Sequence, residues 1–392
     1  TTVTAILMAQ NTGDRTINIW VANDYTSEIT EDEAQDIADS FYNSSDTDNS
    51  IYSLITNVYG EEWGDTGYTS LISATDTIDI LLTPLNTTYP SDDGYVVGYF
   101  YNVDTYKNYS NSNQRNIFYI DAALYSKTAN TGYDDYYYNS CYSTLAHEFT
   151  HMVVWYQKTI KALGLKTSPE IWLNEMMAMI SEDLIDDKIK INGVTGEVEG
   201  SKDRIPYFNY YYNYYPTICT SSFGLGNYAV NGVLGLYLTR AYCRDNLDVL
   251  KSIMTNTETG YDSIESATGD SFETVIENFG KALILSSDST ISSEKLNINT
   301  SFSITDGNYS YAFEKINIFD TGSYYYTLRN VSNTVKGSGN LYKKIKSSSD
   351  STNSWSIEIP VDNMPFQLIV LNSDGSFNSS LSSELNDSIT KS

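Results

Sequence analysis

Basic residues are scarce in this chain of 392 residues. It carries 23 lysines and arginines against 50 aspartates and glutamates, which gives a formal net charge of −27. A surface that binds nucleic acid needs clusters of lysine and arginine to meet the phosphates, and we find no such cluster. We therefore expect no nucleic-acid partner. Acidity of this degree also argues against attraction to an anionic bilayer.

Cysteines and long apolar runs are scarce as well. The three cysteines, Cys141, Cys219 and Cys243, are too few for a disulfide framework and allow one bridge at most. No apolar run reaches the length that a transmembrane helix needs. The chain begins Thr1-Thr2-Val3 without an initiator methionine, which is typical of a mature or truncated product. We expect a secreted or cell-surface protein, present as a monomer.

The chain has only two histidines, and they stand four residues apart in His147-Glu148-Phe149-Thr150-His151. On a helix, residues with this spacing lie on one face, so both imidazoles can reach one tetrahedral metal ion. The intervening Glu148 would project nearby as a base for a water that the metal activates. The pattern predicts a catalytic zinc site. The alternative is a pair of ordinary histidines on a helix surface.

A catalytic zinc site normally has three protein ligands, so a third residue is needed. It cannot be a histidine, because both are already used. The zinc proteases with the motif H-E-x-x-H-x-x-G-x-x-H are excluded, since Val154 replaces the glycine and Gln157 the last histidine. The remaining common arrangement takes a glutamate from a second helix. Residues 168–183 supply one, and we expect Ser168 to cap it with Pro169 in its first turn.

Glu175 is the candidate in this second helix. Its neighbours three or four residues away are all apolar and lie on its own face, namely Ile171, Trp172, Ala178 and Met179. A carboxylate in such surroundings would be buried, and a buried ion is costly unless it is paired or bound to metal. A lysine or arginine partner is the alternative to a metal.

The order of these motifs resembles a known family. His147-Glu148-Phe149-Thr150-His151 followed by Trp172-Leu173-Asn174-Glu175 resembles the gluzincin metallopeptidases, and most closely the hyicolysin-like family. The resemblance implies three zinc ligands, which are His147, His151 and Glu175. It also implies that Glu148 is the general base and proton shuttle.

The same resemblance places polar groups behind the metal ligands. Asn174 and Glu182 occupy positions where such enzymes keep residues that orient the ligands. The thermolysin-like relatives carry an aspartate four residues after the third ligand to orient a histidine, whereas this chain has Met179 there. Glu182 or Asp183 would take over that role.

The gluzincin mechanism also needs a group that stabilises the oxyanion of the tetrahedral intermediate. Thermolysin-like enzymes use a histidine, and this chain has none to spare. Residues 226–238 resemble the downstream helix on which related families place a tyrosine ahead of an aliphatic run, so Tyr228 is the candidate. The chain has 35 tyrosines, so a packing role is the alternative, and the rivals are the tyrosines from Tyr207 to Tyr215.

The periodicity along the chain predicts an α+β fold. Four runs predict the strands of a mixed sheet, at residues 16–21, 78–82, 95–100 and 117–120. Helical periodicity is found at residues 31–41, 140–160, 169–186, 228–254, 261–268 and 271–285. As in gluzincins, an edge strand near Gly94 to Asn102 would form a wall of the cleft and pair with an extended peptide.

A polar linker at residues 286–293 precedes the C-terminal part. Short alternating segments at residues 309–313, 323–328, 355–359 and 366–371 then predict an antiparallel β-sandwich. We expect a gluzincin (thermolysin-like) catalytic core followed by this sandwich. The expected units are residues 1–135 as the mixed-sheet part of the core, 136–290 as the helical part with the zinc site, and 291–392 as the C-terminal domain.

The sequence thus predicts a zinc metalloendopeptidase that hydrolyses peptide bonds of proteins. An aminopeptidase of the same clan is one alternative, but we find no G-x-M-E-N segment that would capture a free amine. A non-catalytic binding or adhesion module with a structural zinc is the other, and Glu148 argues against it because a structural site needs no base. Calcium is a second candidate ion, through Asp46 and Asp48 or Asp134 and Asp135, although neither pair matches an EF-hand loop.

Overall fold

The computed structural model describes most of the chain up to residue 319. The described residues are 2–45, 49–86, 96–126, 136–186, 188–191, 194–195, 203–212, 215–219, 223–319, 369, 378–380 and 382–383. Within these ranges, no helix is both long and apolar enough to cross a membrane.

A five-stranded mixed sheet is built from the first 121 residues. Its strands are β1 (Ala5–Thr12), β2 (Thr16–Ala22), β3 (Thr77–Thr83), β4 (Gly98–Phe100) and β5 (Ile117–Asp121), in the spatial order β1-β2-β3-β5-β4. β2, β3 and β5 run parallel, and the outer strands β1 and β4 are antiparallel to their neighbours. Ile19 of β2 and Ile80 of β3 are fully buried in the core. The mixed sheet expected from the sequence is confirmed.

The sequence does not predict β1, and the structure shows why. Ile6 and Leu7 are 49% and 40% exposed, so apolar side chains point away from the core. The pairing with β2 also shifts its register between Leu7 and Ala9. A bulged edge strand of this kind lacks the alternation of polar and apolar residues by which a strand is recognised.

Helices form most of the remaining secondary structure in the described chain. They are α1 (Glu31–Phe41), α2 (Ile51–Tyr59), α3 (Ala122–Tyr125), α4 (Tyr136–Val153), α5 (Ile171–Ile185), α6 (Arg204–Tyr211), α7 (Leu225–Tyr242), α8 (Asp248–Thr255), α9 (Gly260–Thr268) and α10 (Phe272–Leu285). A π-helical segment, Val154–Ala162, continues α4, and short 3-10 turns lie at Asn23–Tyr25 and Asn102–Thr105. A small hairpin of β6 (Lys190–Ile191) and β7 (Val194–Thr195) follows α5.

Two helix predictions need correction, and the helices α2, α3 and α6 are not predicted at all. The helix expected at residues 140–160 begins at Tyr136 and becomes π-helical after Val153. The helix expected at residues 228–254 is two helices, because residues 243–247 interrupt it between α7 and α8. The sequence does not predict α6, whose run of aromatic residues has no clear apolar period.

The beginning of α5 also differs from the expectation. Glu170 is its N-cap residue, and the Glu170 carbonyl accepts hydrogen bonds from the backbone N–H groups of Leu173 and Asn174 at 3.0 and 3.1 Å. The prediction that Ser168 caps the helix with Pro169 in its first turn is therefore wrong. Both residues precede the helix.

The chain after α10 forms a hairpin of β8 (Phe302–Asp306) and β9 (Tyr309–Phe313), which confirms the strand expected at residues 309–313. The hairpin packs into the main core, where Tyr311 is fully buried and donates a hydrogen bond to the Leu54 carbonyl at 2.8 Å. The other expected strands, at residues 323–328, 355–359 and 366–371, lie outside the described residues or have only residue 369 described. The β-sandwich and the division into three units stay predictions.

The elements that will carry the site pack around α4. One side of α4 is fixed in the core, where the Phe149 ring lies 5.0 Å from the Phe41 ring between centroids. On its other sides α4 packs against α5 and β4, and α7 packs on α5 in turn. The sides of α4 that face away from Phe41 therefore meet α5 and β4, and α7 lies against α5.

Candidate metal centre and active site

Helix α4 places its two histidines on the face that meets α5. The ring centroids of His147 and His151 are 4.8 Å apart, as expected for residues separated by one helical turn. Their side chains are only 10% and 12% exposed. The alternative of two ordinary surface histidines does not agree with this burial.

Helix α5 brings Glu175 to the same point. Its Oε2 atom lies 3.1 Å from Nε2 of His147 and 3.7 Å from Nε2 of His151, and its side chain is 12% exposed. The three side chains are the one group of three or more His, Cys, Asp or Glu in the described ranges whose possible ligand atoms converge, and these atoms lie within 4.8 Å of one another. The partner of Glu175 is therefore the histidine pair.

Each histidine also has an acceptor on its other ring nitrogen. Oε1 of Glu182 lies 2.7 Å from Nδ1 of His147, and Oδ1 of Asn174 lies 3.0 Å from Nδ1 of His151. Both acceptors belong to α5. With Nδ1 facing these acceptors, Nε2 of each ring is directed at Glu175 and is the nitrogen that a neutral imidazole would offer to a metal ion.

This donor set fits a zinc ion. Two imidazole Nε2 atoms and one carboxylate oxygen are the ligands of a common class of catalytic zinc sites, which leave further positions for water and substrate. The acceptors on both Nδ1 atoms are the supports that zinc-binding histidines usually have. Zinc is therefore the metal that these residues are suited to hold.

Neighbouring charged groups shift the pKa values of His147 and Glu175 in opposite directions. Burial lowers the pKa of His147, but Glu175 and Glu182 together raise it to about 10. Burial raises the pKa of Glu175, yet the two histidines and the Tyr228 hydroxyl lower it to about 2. Glu175 is thus an anion at neutral pH, as a metal ligand must be.

Glu148 lies between α4 and the edge strand β4 and is 5% exposed. Burial raises the pKa of its carboxyl, while His151, His147 and the backbone amide of Phe100 act in the opposite direction. The close contact depends on Gly98, because a Cβ there would lie 2.8 Å from Cγ of Glu148. The edge strand expected near Gly94 to Asn102 therefore lies against Glu148, with β4 at the border of the sheet.

The structure brings Tyr228 to the site as well. It lies near the start of α7, and its ring centroid is 6.2 Å from that of His147 and 4.7 Å from that of Phe223. Burial raises the pKa of its hydroxyl above the usual range, and Glu175 and Glu148 raise it further. The phenol therefore keeps its proton at neutral pH.

The rival tyrosines lie on or after α6. Tyr207 and Tyr210 are 37% and 42% exposed, and Tyr212 is buried in the core. Tyr211 and Tyr215 pack edge to face, with ring centroids 5.3 Å apart. The remaining rival, Tyr214, lies outside the described residues.

Comparisons with known proteins identify the family of this chain. The model of the peptidase M30 family matches residues 1–363. The chain belongs to the peptidase M30 family. A curated relative, the neutral metalloprotease ShpI of Staphylococcus hyicus, is 30% identical over 167 residues. That match covers 43% of this chain and 33% of ShpI, so the chain spans about a third of the length of this relative.

The family assignment confirms the resemblance to the hyicolysin-like peptidases.

Sequence reasoning misses one residue at the site of this M30 family member, which is Arg204 at the start of α6. Its Nη2 atom lies 2.7 and 2.8 Å from the two carboxylate oxygens of Glu182. No motif marks Arg204. The one available signal is the need of a buried Glu182 for a cation.

Of the two carboxylates considered as supports for a ligand histidine, Glu182 takes that position. Asp183 instead forms a buried ion pair with Arg240 of α7. The aspartates considered for calcium, which are Asp46, Asp48, Asp134 and Asp135, lie outside the described residues.

Proposed function

We propose that this M30 family member is a zinc-dependent endopeptidase. One observation carries the proposal: the metal-binding atoms of His147, His151 and Glu175 converge at a point that is also lined by the buried Glu148 and the phenol of Tyr228. A ligand set, a base and a neutral hydrogen-bond donor are the groups that hydrolysis of an amide requires.

His147, His151 and Glu175 would hold the zinc ion, with Glu182 and Asn174 orienting the two imidazoles. Bound there, zinc would lower the pKa of a water molecule and polarise the scissile carbonyl. The chain's own contribution at this stage is to fix three ligands on two packed helices. Such rigid placement of ligands is what a catalytic metal site needs.

Glu148 is the base in this proposal. It takes a proton from the attacking water and returns it to the amine that leaves. Its burial raises its pKa, which brings a carboxyl group closer to the range in which a base both accepts and releases a proton near neutral pH. The same burial keeps bulk water from the proton that is being moved.

Tyr228 donates the hydrogen bond that stabilises the oxyanion. Its hydroxyl stays protonated because burial and the carboxylates of Glu175 and Glu148 raise its pKa. A donor that is held in place before the reaction stabilises the charge that develops on the carbonyl oxygen without reorganisation. Placement near the start of α7 keeps the phenol close to His147.

Strand β4 is where the peptide substrate would bind. It is an edge strand of three residues, Gly98–Phe100, and no other strand of the described residues pairs with its outer side, so an extended chain could pair there. Because β4 lies on Glu148, a peptide paired with it would run past the base. The net charge of −27 disfavours acidic substrates. We propose protein or peptide substrates and a secreted or cell-surface location.

A non-catalytic module with a structural zinc and an aminopeptidase each explain the site less well. A structural zinc would leave the buried Glu148 without a role, and burying a carboxylate is costly. An aminopeptidase needs a group that captures the free amine of its substrate, and the segment before α4 has no G-x-M-E-N sequence for that purpose.

Matched peptides separate the endopeptidase from the aminopeptidase. The chain would be loaded with zinc and given casein, then a peptide in free and N-acetylated forms, and the product ends would be sequenced. We expect internal cuts in casein and equal rates for the two forms of the peptide. Removal of single N-terminal residues from the free form alone would contradict the proposal and identify an aminopeptidase.

A further inference from the structure

Arg204 stands behind the metal ligands rather than among them. Its Nη2 atom is within 2.8 Å of both carboxylate oxygens of Glu182, and Oε1 of Glu182 is 2.7 Å from Nδ1 of His147. A continuous chain of contacts therefore runs from the guanidinium through the carboxylate to the imidazole. The carboxylate has a side-chain exposure of only 4%, so water contributes little to holding it.

The same guanidinium also lies against Tyr228. Its central carbon is 5.7 Å from the centroid of the phenol ring, which is a cation–π distance. The Nε atom of Arg204 is buried, and no hydrogen-bond partner for it is found in the part of the chain that the structure describes. The guanidinium is thus held by Glu182 and by the ring face of Tyr228.

Helix α7 leaves room for this side chain. A Cβ at Gly232 would lie 2.9 Å from Cδ of Arg204, so any larger residue at that position would push the arginine aside. Arg204 itself starts α6, which packs on α7. The position of the guanidinium is therefore set by two helices that do not carry the metal ligands.

We propose that Arg204 is a positioning residue that couples zinc retention by His147 to the placement of Tyr228. The proposal rests on the proposed function. Through Glu182, the guanidinium keeps His147 turned so that Nε2 faces the metal. Through the ring face, it keeps the phenol from rotating away from the point where the oxyanion forms. One residue outside the ligand set thus supports both metal binding and the oxyanion donor.

The chain contains a matched control for this arrangement. Arg15 donates a hydrogen bond to the buried Glu62 at 3.0 Å, and its central carbon lies 5.8 Å from the ring centroid of Tyr52. The side chains of Arg15 and Arg204 are 17% and 25% exposed. The two arginines therefore make the same kinds of contact, but neither Glu62 nor Tyr52 belongs to the metal site.

The first test compares zinc affinity in Arg204→Met and Arg15→Met, measured on the metal-free proteins by competition with a chromogenic chelator. Loss of a group that orients a zinc ligand typically lowers metal affinity by about tenfold to a hundredfold, which we expect for Arg204→Met. We expect Arg15→Met to lose thermal stability but to keep the zinc affinity of the wild type. Equal affinity in Arg204→Met and wild type would overturn the proposal.

Double-mutant cycles test the coupling itself. If Arg204 acts on zinc through Glu182, Arg204→Met should lower zinc affinity much less in the Glu182→Gln background than in the wild type. If it also acts through the phenol, its effect on kcat should shrink in the Tyr228→Phe background. Additive effects in both cycles would show an independent or merely structural role, and would overturn the proposal.

A second variant and the wild-type protein cover the remaining outcomes of these tests. Should Arg204→Met fail to fold, Arg204→Lys replaces it, because lysine keeps the charge beside Glu182 and loses the planar group over Tyr228. We expect Arg204→Lys to retain more zinc affinity than kcat, and wild-type values of both would overturn the proposal. A wild-type protein without zinc or proteolysis would refute the proposed function instead, so the two failures are distinguishable.

Discussion

Two adjacent carboxylates on α5 are each paired with an arginine, yet they serve different parts of the molecule. Glu182 contacts His147 and Arg204 on the side of the metal centre. Asp183 pairs with Arg240, which is fully buried and also donates to the Glu314 carbonyl at 3.0 Å. Because successive helical residues point about 100° apart, neighbours in sequence belong to different surroundings.

This difference means that the two sides of α5 can be altered separately. The side with Asn174, Glu175 and Glu182 faces the proposed metal centre, whereas the side with Asp183 joins α5 to α7 and to the segment after β9. Changes on the first side should affect metal binding and turnover. Changes on the second side should affect the free energy of unfolding.

Glu175→Ala should have the largest effect on activity. It removes the carboxylate of the proposed ligand set, and two imidazoles alone make a poor catalytic zinc site. We expect loss of nearly all zinc after dialysis, measured by mass spectrometry of the metal, and no detectable proteolysis. Glu273→Ala, at an exposed position in the first turn of α10, is the control and should keep both. Full retention of zinc in Glu175→Ala would remove Glu175 from the ligand set.

Tyr228→Phe should have the second-largest effect on activity, because it deletes only the hydroxyl that faces the site. Removal of one oxyanion donor typically lowers turnover by about a hundredfold to a thousandfold, with little change in ground-state binding. Steady-state kinetics on a fluorogenic peptide would measure kcat and KM, together with zinc content. Tyr237→Phe, a buried position on the same helix, should leave kcat unchanged. An unchanged rate in Tyr228→Phe would transfer the role to the tyrosines from Tyr207 to Tyr215.

Gly98→Ala should have a smaller effect, exerted through the distance between β4 and Glu148. The new methyl group would meet Cγ2 of Thr144 at 2.7 Å and the Tyr119 carbonyl oxygen at 3.0 Å, so β4 must move. Displacement of about 1 Å can cost up to about a hundredfold in rate, and we expect kcat/KM to fall by about tenfold or more.

Thr144→Ser removes the methyl group that the new side chain meets first. The double variant should therefore recover part of the kcat/KM that Gly98→Ala loses. Wild-type kcat/KM in Gly98→Ala would show that the contact between β4 and Glu148 is not needed for turnover.

Asp183→Asn should have the smallest effect on turnover and a large effect on stability. Breaking a buried ion pair from one side leaves the other charge uncompensated and typically costs about 3–5 kcal/mol. Urea unfolding would measure this loss, and the zinc affinity of the folded protein should match the wild type. A fall in zinc affinity as large as that of Glu182→Gln would break the distinction between the two sides of α5.

Much of the site can be predicted from the sequence because its signals are local. His147 and His151 share a helix face by spacing alone, and the apolar neighbours of Glu175 predict its burial. These two inferences need only the helical period. Glu182 is a candidate on other grounds, because the resemblance to the hyicolysin-like family implies an orienting residue at its position.

The remaining features depend on contacts between elements that are distant in sequence. Nothing in the sequence indicates that Arg204 pairs with Glu182 while Arg240 pairs with Asp183, because that choice follows from the packing of α7 on α5 and of α6 on α7. The bulged strand β1 is hidden for a similar reason, since its exposed apolar residues remove the alternation that marks a strand.

The central claim is that Glu148 is a base beside an intact metal centre, and Glu148→Gln tests it most directly. The substitution keeps the size of the side chain and removes its ability to accept a proton. Zinc content and the rate of casein cleavage would be measured on the same preparation. We predict one zinc ion per chain, as in the wild type, and a rate lower by at least about a hundredfold. A variant that keeps its zinc and more than about a tenth of the wild-type rate would contradict the account.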